Sequence, residues 1–311
     1  MLFRSDTTKP DLDRLFKLNS NFIANAADLQ LVTMLDFIPW AHYLPIKAYD
    51  RVIQPVFQIH DIIRKILRER QSNFDPAQPI QDLISGLLRA KYDAECEGYD
   101  ERAVLLSADY LVNTVEDMFL AGYETKSNTL KWAIAYLAQC PKFQEDIQRQ
   151  LDKVVGERSP SIGDRPNLPL IQATIMETLR LANPVPLAVP HVTMADTTMC
   201  GYRVPKDTIV FADLESVHLD PECWKNPTEF NPYRHIDEDG KLITNQGNFF
   251  PFGAGRRVCA GEKLAKVELF LFISWMLHNF TFIAVDGHPP KVKGALSQSP
   301  SAYKISAIKR R

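Results

Sequence analysis

Apolar residues in the first hundred positions recur every three or four residues, which is the period of an amphipathic helix. This period predicts helices over 11–27, 51–70 and 80–91, with prolines in the break between the last two. The stretch 35–45 holds two prolines and three aromatic residues, and it predicts an apolar loop. Residues 1–9 are polar and charged, so we expect no signal peptide there.

The longest helical pattern runs from about Ser107 to Cys140. Ser107 is a suitable N-cap residue, and Pro141 is a stop signal. At 1.5 Å per residue this helix would span roughly 50 Å, enough to cross a whole domain. Two shorter helices are predicted after it, over 141–155 and 170–181.

The second half of the chain has a different pattern. Residues 185–217 contain short β-branched runs between prolines and glycines, which predict short strands and turns. An irregular stretch over 222–250 precedes a last helix that starts just after Cys259 and ends near His278, and strands and loops follow it. The pattern predicts a mainly α fold with small β-sheets. Because no linker divides the chain, we expect one domain over 1–311.

Composition excludes several classes of protein. A hydrophobic fraction of 45% and a charged fraction of 24% are ordinary for a globular chain. The net charge of -2 gives no positive field for nucleic acid, so we expect no nucleic-acid partner. The five cysteines are scattered without a C-x-x-C pair, which does not indicate a disulfide framework. The most apolar stretch, Val267 to Leu277, is too short to span a bilayer.

One segment carries specific chemistry: 252–261 reads FGAGRRVCAG. It fits F-x-x-G-x-R-x-C-x-G at every fixed position, a match with a chance probability on the order of 10⁻⁴. A thiol directly before a helix can ionise, because the helix N-terminus stabilises the negative charge. A lone cysteine is more often a buried structural residue. In this segment, however, the chain resembles the cytochrome P-450 superfamily of haem-thiolate monooxygenases.

The resemblance implies roles for the residues of this loop. Cys259 would be the thiolate ligand to the iron of heme b (iron protoporphyrin IX), and Arg257 would pair with a haem propionate. Gly253 would let the backbone bend close to the cofactor, and Gly261 would let the helix approach it. Phe252 opens the same haem-binding loop.

Two further segments agree with the family and follow its order. Glu177 and Arg180 match E-x-x-R, and Arg234 matches the arginine that completes this buried ion pair in relatives. Their role would be structural, because they brace the haem-binding core. The chain departs from the family at Tyr233 and His235, where many relatives carry Glu and Phe, and this leaves the local packing open.

The segment 121–125, AGYET, resembles the family's oxygen-activation motif within the long helix. A threonine there can bond back to a carbonyl one turn earlier and open the helix locally. The resemblance implies that Thr125 holds dioxygen by a hydrogen bond and that Glu124 relays protons. Lys126 replaces a small polar residue of relatives. His191, after a proline-rich stretch, matches a residue that contacts a propionate.

Within the superfamily, the chain is most similar to the microsomal group that holds steroid 17-alpha-hydroxylase/17,20-lyase and its xenobiotic-oxidising neighbours. The resemblance implies a monomer that oxidises a lipophilic substrate, a steroid above all. Its electrons would come from NADPH through a cytochrome reductase, with a cytochrome b-type protein as a further donor. The reductase would dock near Lys263 and Lys266. The parent protein would lie on the cytosolic face of the endoplasmic reticulum membrane.

The chain is short for the family, so we expect an N-terminally truncated P-450 fold without the membrane anchor. One alternative is therefore a truncated, non-catalytic haem-binding product, and another is a xenobiotic-oxidising monooxygenase. A thiolate-haem isomerase that needs no reductase is a further alternative, against which Thr125 and Glu124 argue. A zinc site from Cys200, Cys223 and His218 is remote, because the cysteines lack the usual spacing.

Overall fold

A computed structural model describes residues 9–24, 47–98, 106–285, 287, 289–294 and 297–311. The predicted apolar loop over 35–45 lies outside the described residues. Two compact units divide between Tyr123 and Glu124. The division falls inside a helix rather than in a linker, and the expectation of one domain stays a prediction.

The first unit is mainly helical in its described part, with turns between its helices. It contains α1 (Lys9–Ala24), α2 (Lys47–Ser72), α3 (Leu83–Glu97) and the first half of α4 (Ala108–Gln139). Its apolar core draws on all four helices and includes Leu15, Ile59, Ile63, Ile84, Leu88, Leu111 and Val115. The helices that the sequence predicts here are confirmed, but α3 begins three residues later than expected. Asp82 caps it by accepting a hydrogen bond from the Ser85 backbone amide at 2.8 Å.

The second unit continues α4 and adds four α-helices: α5 (Pro141–Val154), α6 (Pro169–Ala182), α7 (Leu214–Leu219) and α8 (Glu262–Asn279). Short 3-10 turns occupy Ile162–Asn167, Pro232–His235 and Gly255–Arg257. The core joins α4, α5, α6 and α8 and includes Leu137, Ile147, Leu151, Ile171, Phe270 and Leu277. The predicted last helix is confirmed, because α8 begins three residues after Cys259.

The strands form four small antiparallel pairs within the described residues. The pairs are β1 (His191–Val192) with β4 (Ile209–Val210), β2 (Thr197–Met199) with β3 (Tyr202–Val204), β5 (Phe280–Ala284) with β8 (Ile305–Lys309), and β6 (Val292–Lys293) with β7 (Ser299–Pro300). The register of the longest pair sets Phe280 opposite Lys309 and Ala284 opposite Ile305. The prediction of a mainly α fold with small sheets is therefore confirmed.

No helix in the described part of the chain has both the length and the apolar character needed to cross a membrane.

Gln144 joins α5 to the longest strand pair. Its side-chain nitrogen donates to the Phe282 carbonyl at 2.9 Å, and its oxygen accepts from the Phe282 amide at 2.7 Å. We expect Gln144→Leu to lower the free energy of unfolding by about 2–4 kcal/mol, because two backbone groups are left buried without partners. Glu145→Gln, one residue along on the exposed side, should leave urea unfolding unchanged. Equal midpoints for both variants would contradict the role of Gln144.

Candidate functional site

A buried carboxylate lies at the centre of the second unit. Glu177 of α6 accepts two hydrogen bonds from Arg180, Nε to Oε2 and Nη2 to Oε1, each at 2.9 Å. Arg234 Nε donates to Oε1 at 2.8 Å, and the Asn231 backbone amide donates to the same oxygen at 2.9 Å. His235 Nε2 lies 3.0 Å from Oε2. The spacing of three residues in α6 places Glu177 and Arg180 on one face, as the sequence predicts.

These ionic groups are shielded from water. The side chains of Glu177, Arg180 and His235 are fully buried. Burial alone would raise the pKa of Glu177, but the hydrogen bonds from Arg180 and His235 outweigh it and hold that pKa at about 2. Glu177 is therefore ionised throughout the physiological range.

The two arginines also hold the irregular chain that the sequence left undefined. Arg180 Nη1 donates to the carbonyls of His218 and Pro227, each at 2.7 Å. Arg234 Nη1 donates to the Lys225 carbonyl at 2.9 Å. His235 takes part in the same network, which answers the packing question left open at this position. The chain between α7 and the cysteine loop is thus fixed by charged side chains rather than by regular secondary structure.

The cysteine loop is tied to this network through His218. The ring Nε2 of His218 accepts a hydrogen bond from the Phe250 amide at 3.0 Å. The Gly253 amide then donates to the Phe250 carbonyl at 3.0 Å, and the Cys259 amide donates to the Phe252 carbonyl at 2.9 Å. Gly253 has a φ of 75°, so the turn requires the left-handed conformation that glycine adopts without strain.

The His218 ring is fully buried. Burial lowers its pKa to about 4, and the charge of Arg180 acts in the same direction. Because the ring is neutral at pH 7 and Nε2 is the acceptor, the proton lies on Nδ1.

Cys259 is presented at the start of α8 with an exposed side chain. The 3-10 turn Gly255–Arg257 precedes it, and Gly261 occupies the N-cap position of the helix. A Cβ atom at Gly261 would lie 3.8 Å from Cys259 Sγ, so the sulfur lies directly against the helix N-terminus. Arg257 is exposed in the same loop. This arrangement leaves the sulfur open to a ligand on its outer side.

The segment 121–125 lies within α4 and stays α-helical throughout. One turn further along, Thr129 bonds back to the same helix: its Oγ1 donates to the Thr125 carbonyl at 2.8 Å. Glu124 Oε1 accepts from Asn128 Nδ2 at 3.0 Å, and the Asn128 side chain is fully buried. Lys131 Nζ donates to Asn128 Oδ1 at 3.3 Å, so a polar chain extends from Glu124 to an exposed lysine.

The structure gives Lys126 a partner that the sequence left undetermined. Its ammonium group forms an ion pair with Glu268 of α8. The pair joins the helix of the AGYET segment to the helix that begins at the cysteine loop.

His191 lies in β1 opposite Val210 and is exposed. The network of Glu177, Arg180 and Arg234 reaches the cysteine loop through His218, and Glu124 bonds to Asn128. His191 belongs to neither of these two networks. Its role stays a prediction.

The sequence did not identify His218 or Asn128 as part of this site. His218 was considered only as a zinc ligand with Cys200 and Cys223, a hypothesis that the cysteine spacing disfavours. Within the described residues, no group of three or more potential metal ligands is found, so that interpretation is wrong. No local signal in the sequence marks His218, because its burial on the short helix α7 and its backbone partner at Phe250 are long-range features. Asn128 could have been suspected from its position one turn after Glu124.

Comparison with known proteins agrees with these features. The family model described as Cytochrome P450 matches residues 3–307. The chain belongs to the cytochrome P450 family. Steroid 17-alpha-hydroxylase/17,20 lyase of Ictalurus punctatus is 39% identical over 305 residues, which are 96% of this chain and 58% of that protein. Cytochrome P450 2U1 of Mus musculus is 35% identical over 311 residues, covering 99% of this chain and 58% of that protein. The chain thus spans little more than half the length of these P450 relatives.

The P450 family implies a haem-iron cofactor, and the residues present fit one. Cys259 offers a thiol at a helix N-terminus with its outer side exposed. The chain around it exposes cations and apolar side chains, namely Arg256, Arg257, Val258 and Leu264. A sulfur donor beside an apolar surface and arginines suits a macrocycle with two carboxylates.

Replacing the buried carboxylate should damage the P450 fold. We expect Glu177→Gln to lower the free energy of unfolding by about 3–5 kcal/mol, because the Arg180 charge is left buried without its partner. Asp152→Asn, which weakens the pairs of the exposed Asp152 with Arg310 and Arg311, should cost no more than about 1 kcal/mol. Urea denaturation of both variants measures the difference, and a mild Glu177→Gln phenotype would argue against the network.

Acid should destabilise the protein through His218. Its pKa falls from 6.5 to about 4 on folding, so the unfolded state binds more protons across that window. The stability that the neutral ring contributes is present above the window and is lost as the pH falls through it. We expect His218→Gln to remove about 2 kcal/mol of the stability loss between about pH 7 and pH 4.5. Parallel stability curves for the two proteins would refute this assignment.

Proposed function

We propose that the protein is a haem-dependent monooxygenase that inserts one oxygen atom from O₂ into a lipophilic substrate. The observation that carries the proposal is the exposed thiol of Cys259 at the start of α8, on a loop whose backbone is tied to the buried Glu177 network. We also propose that 1–311 forms part of a single P-450 domain.

In this proposal the residues of the loop hold heme b. Cys259 would hold the haem iron through its thiolate, and the bound haem would supply the oxygen chemistry. Arg257 and His191 bind the propionates as hydrogen-bond donors. Gly253 and Gly261 carry no side chain that would hinder the approach of the group, and Phe252 would contribute an apolar side chain to the same loop.

Glu124 and Thr125 handle protons and oxygen in this proposal. Asn128 fixes the carboxylate of Glu124 from the buried side of α4, which directs its remaining oxygen away from that contact. The exposed Lys131 lies at the outer end of the same polar chain. Glu124 is itself half-buried, so it can exchange a proton with solvent directly and pass it to a group held by Thr125.

We propose a steroid as the substrate, because a steroid 17-alpha-hydroxylase/17,20 lyase is among the relatives at 39% identity. The similarity to Cytochrome P450 2U1 keeps other lipophilic molecules as the alternative. NADPH supplies electrons through a cytochrome reductase, with a cytochrome b-type donor as a second source, to a monomer at the cytosolic face of the endoplasmic reticulum membrane. Lys263, exposed near the start of α8, suits a negatively charged donor. Lys266 on the same helix is half-buried and already paired with Glu262, so its contribution would be smaller.

The iron ligand can be tested by substitution. We expect the wild-type chain, loaded with haem, reduced and exposed to CO, to give the red-shifted Soret band of a thiolate-ligated iron. Cys259→Ser should abolish that band, because an alcohol does not ionise at neutral pH, while Cys140→Ser should preserve it. A red-shifted band that survives Cys259→Ser would exclude Cys259 as the ligand. A chain that takes up haem but gives only the ordinary band would leave the truncated, non-catalytic haem-binding alternative, and a folded wild-type chain that takes up no haem would overturn the proposal.

The proton route can be tested by coupling. In a turnover assay with reductase and a steroid, we expect Asn128→Leu to lower product formed per NADPH consumed by about tenfold, because Glu124 loses its orienting partner. Asn128→Asp keeps the size but places a carboxylate where the amide donor faces Glu124, so its coupling should be no higher than that of Asn128→Leu. Ser127→Ala is the control on the same helix. Unchanged coupling in Asn128→Leu would exclude this route.

A further inference from the structure

His218 connects two parts of the site that are far apart in sequence. Its backbone carbonyl accepts a hydrogen bond from Arg180 Nη1 at 2.7 Å, and its ring accepts one from the Phe250 amide at 3.0 Å. One residue thus joins the Glu177 network to the start of the cysteine loop.

The position of the His218 ring is fixed from several sides. The ring packs against Phe249, with centroids 5.7 Å apart. Trp224 Nε1 donates to the carbonyl of Val217, which anchors the backbone of α7 beside it. The ring is fully buried and Phe250 is half-buried, so the bond between them is largely shielded from water.

The hydrogen bonds of the loop extend this anchor to the sulfur. Phe250 accepts from the Gly253 amide, and Phe252 accepts from the Cys259 amide, so two successive turns depend on where Phe250 is held. The ionic groups nearest to the ring belong to α6 and the following 3-10 turn. Arg180 lies directly beside the backbone of His218, and Glu177 and His235 lie behind Arg180.

We propose that His218 is a positioning residue for Cys259. Its neutral ring fixes the backbone at Phe250, and through the loop it sets where the thiol is presented at the start of α8. The inference rests on the proposed role of Cys259 as the iron ligand. It goes beyond that role, because it assigns the geometry of the loop to a side chain 41 residues away from the cysteine.

The first test uses the haem-free wild-type chain. Nitrogen NMR of the histidine rings should show His218 as the neutral Nδ1–H tautomer at about pH 7, and hydrogen exchange should show a protected Phe250 amide. An Nε2–H tautomer, an imidazolium ring or a rapidly exchanging Phe250 amide would overturn the proposal. This outcome does not depend on haem, so it is separate from any failure of the proposed function.

The second test compares variants. His218→Leu removes the acceptor and His218→Gln retains one. His278→Leu is a matched control, because it removes another buried histidine, one whose Nε2 lies 2.8 Å from the Gly156 carbonyl. In His218→Leu we expect the Phe250 and Cys259 amides to exchange about tenfold faster than in the wild type, because a buried donor is left unpaired. His218→Gln should recover most of this protection, and the control should not alter these two amides.

The haem-loaded variants provide the functional readout. We expect His218→Leu to shift the CO complex from the red-shifted band toward the ordinary one, and His218→Gln to restore the red-shifted band. If both variants match the wild type, the proposal is wrong. If His218→Leu and His218→Gln lose the red-shifted band only to the extent that the His278→Leu control does, His218 has a general structural role and the proposal is wrong. Should His218→Leu fail to fold, His218→Gln and the wild-type tautomer decide the question.

Discussion

The charge of Glu177, buried without access to water, is the constraint on which the described site depends. A carboxylate in such a place is tolerated only when its oxygens are paired, and here two arginines, a histidine and a backbone amide do this. The same arginines have further donors, which they direct to carbonyls of the irregular chain after α7. Through these arginines, one buried charge fixes the chain between His218 and His235, which has little regular secondary structure of its own.

This organisation explains how a flexible type of segment can present a reactive sulfur. The cysteine loop has little regular structure, and its glycines favour no single conformation in an unfolded chain. Its backbone is fixed at Phe250 by the network and at Gly261 by the start of α8. The sulfur is held between this anchor and a helix N-terminus, which gives it a fixed place and a defined direction. Both are needed by a protein that binds haem through sulfur.

The sequence predicted this architecture where a local rule applies. Helical period defined α4, α5, α6 and α8 to within about two residues, and the spacing of Glu177 and Arg180 predicted their pairing. The loop signature identified Cys259, although this relied on resemblance to a family rather than on periodicity. Long-range partners could not be derived. Nothing near Glu124 in sequence shows that Asn128 is buried, and no local pattern indicates that a ring in α7 accepts from Phe250. His235 stands where many relatives carry Phe, and the sequence left the local packing there open. In the structure this histidine contacts Glu177 and belongs to the buried network.

The bond between iron and Cys259 can be observed directly by X-ray absorption at the iron edge of the haem-loaded chain. If Cys259 binds the iron, the wild-type protein should show a sulfur atom in the first coordination shell, and Cys259→Ser should lose it. In Glu177→Gln, the sulfur signal should weaken while haem content falls less, because the loop is no longer held in one conformation. A first shell of nitrogen and oxygen alone in the wild type would contradict ligation by Cys259. An unchanged sulfur signal in Glu177→Gln would show that the Glu177 network does not hold the cysteine loop in place.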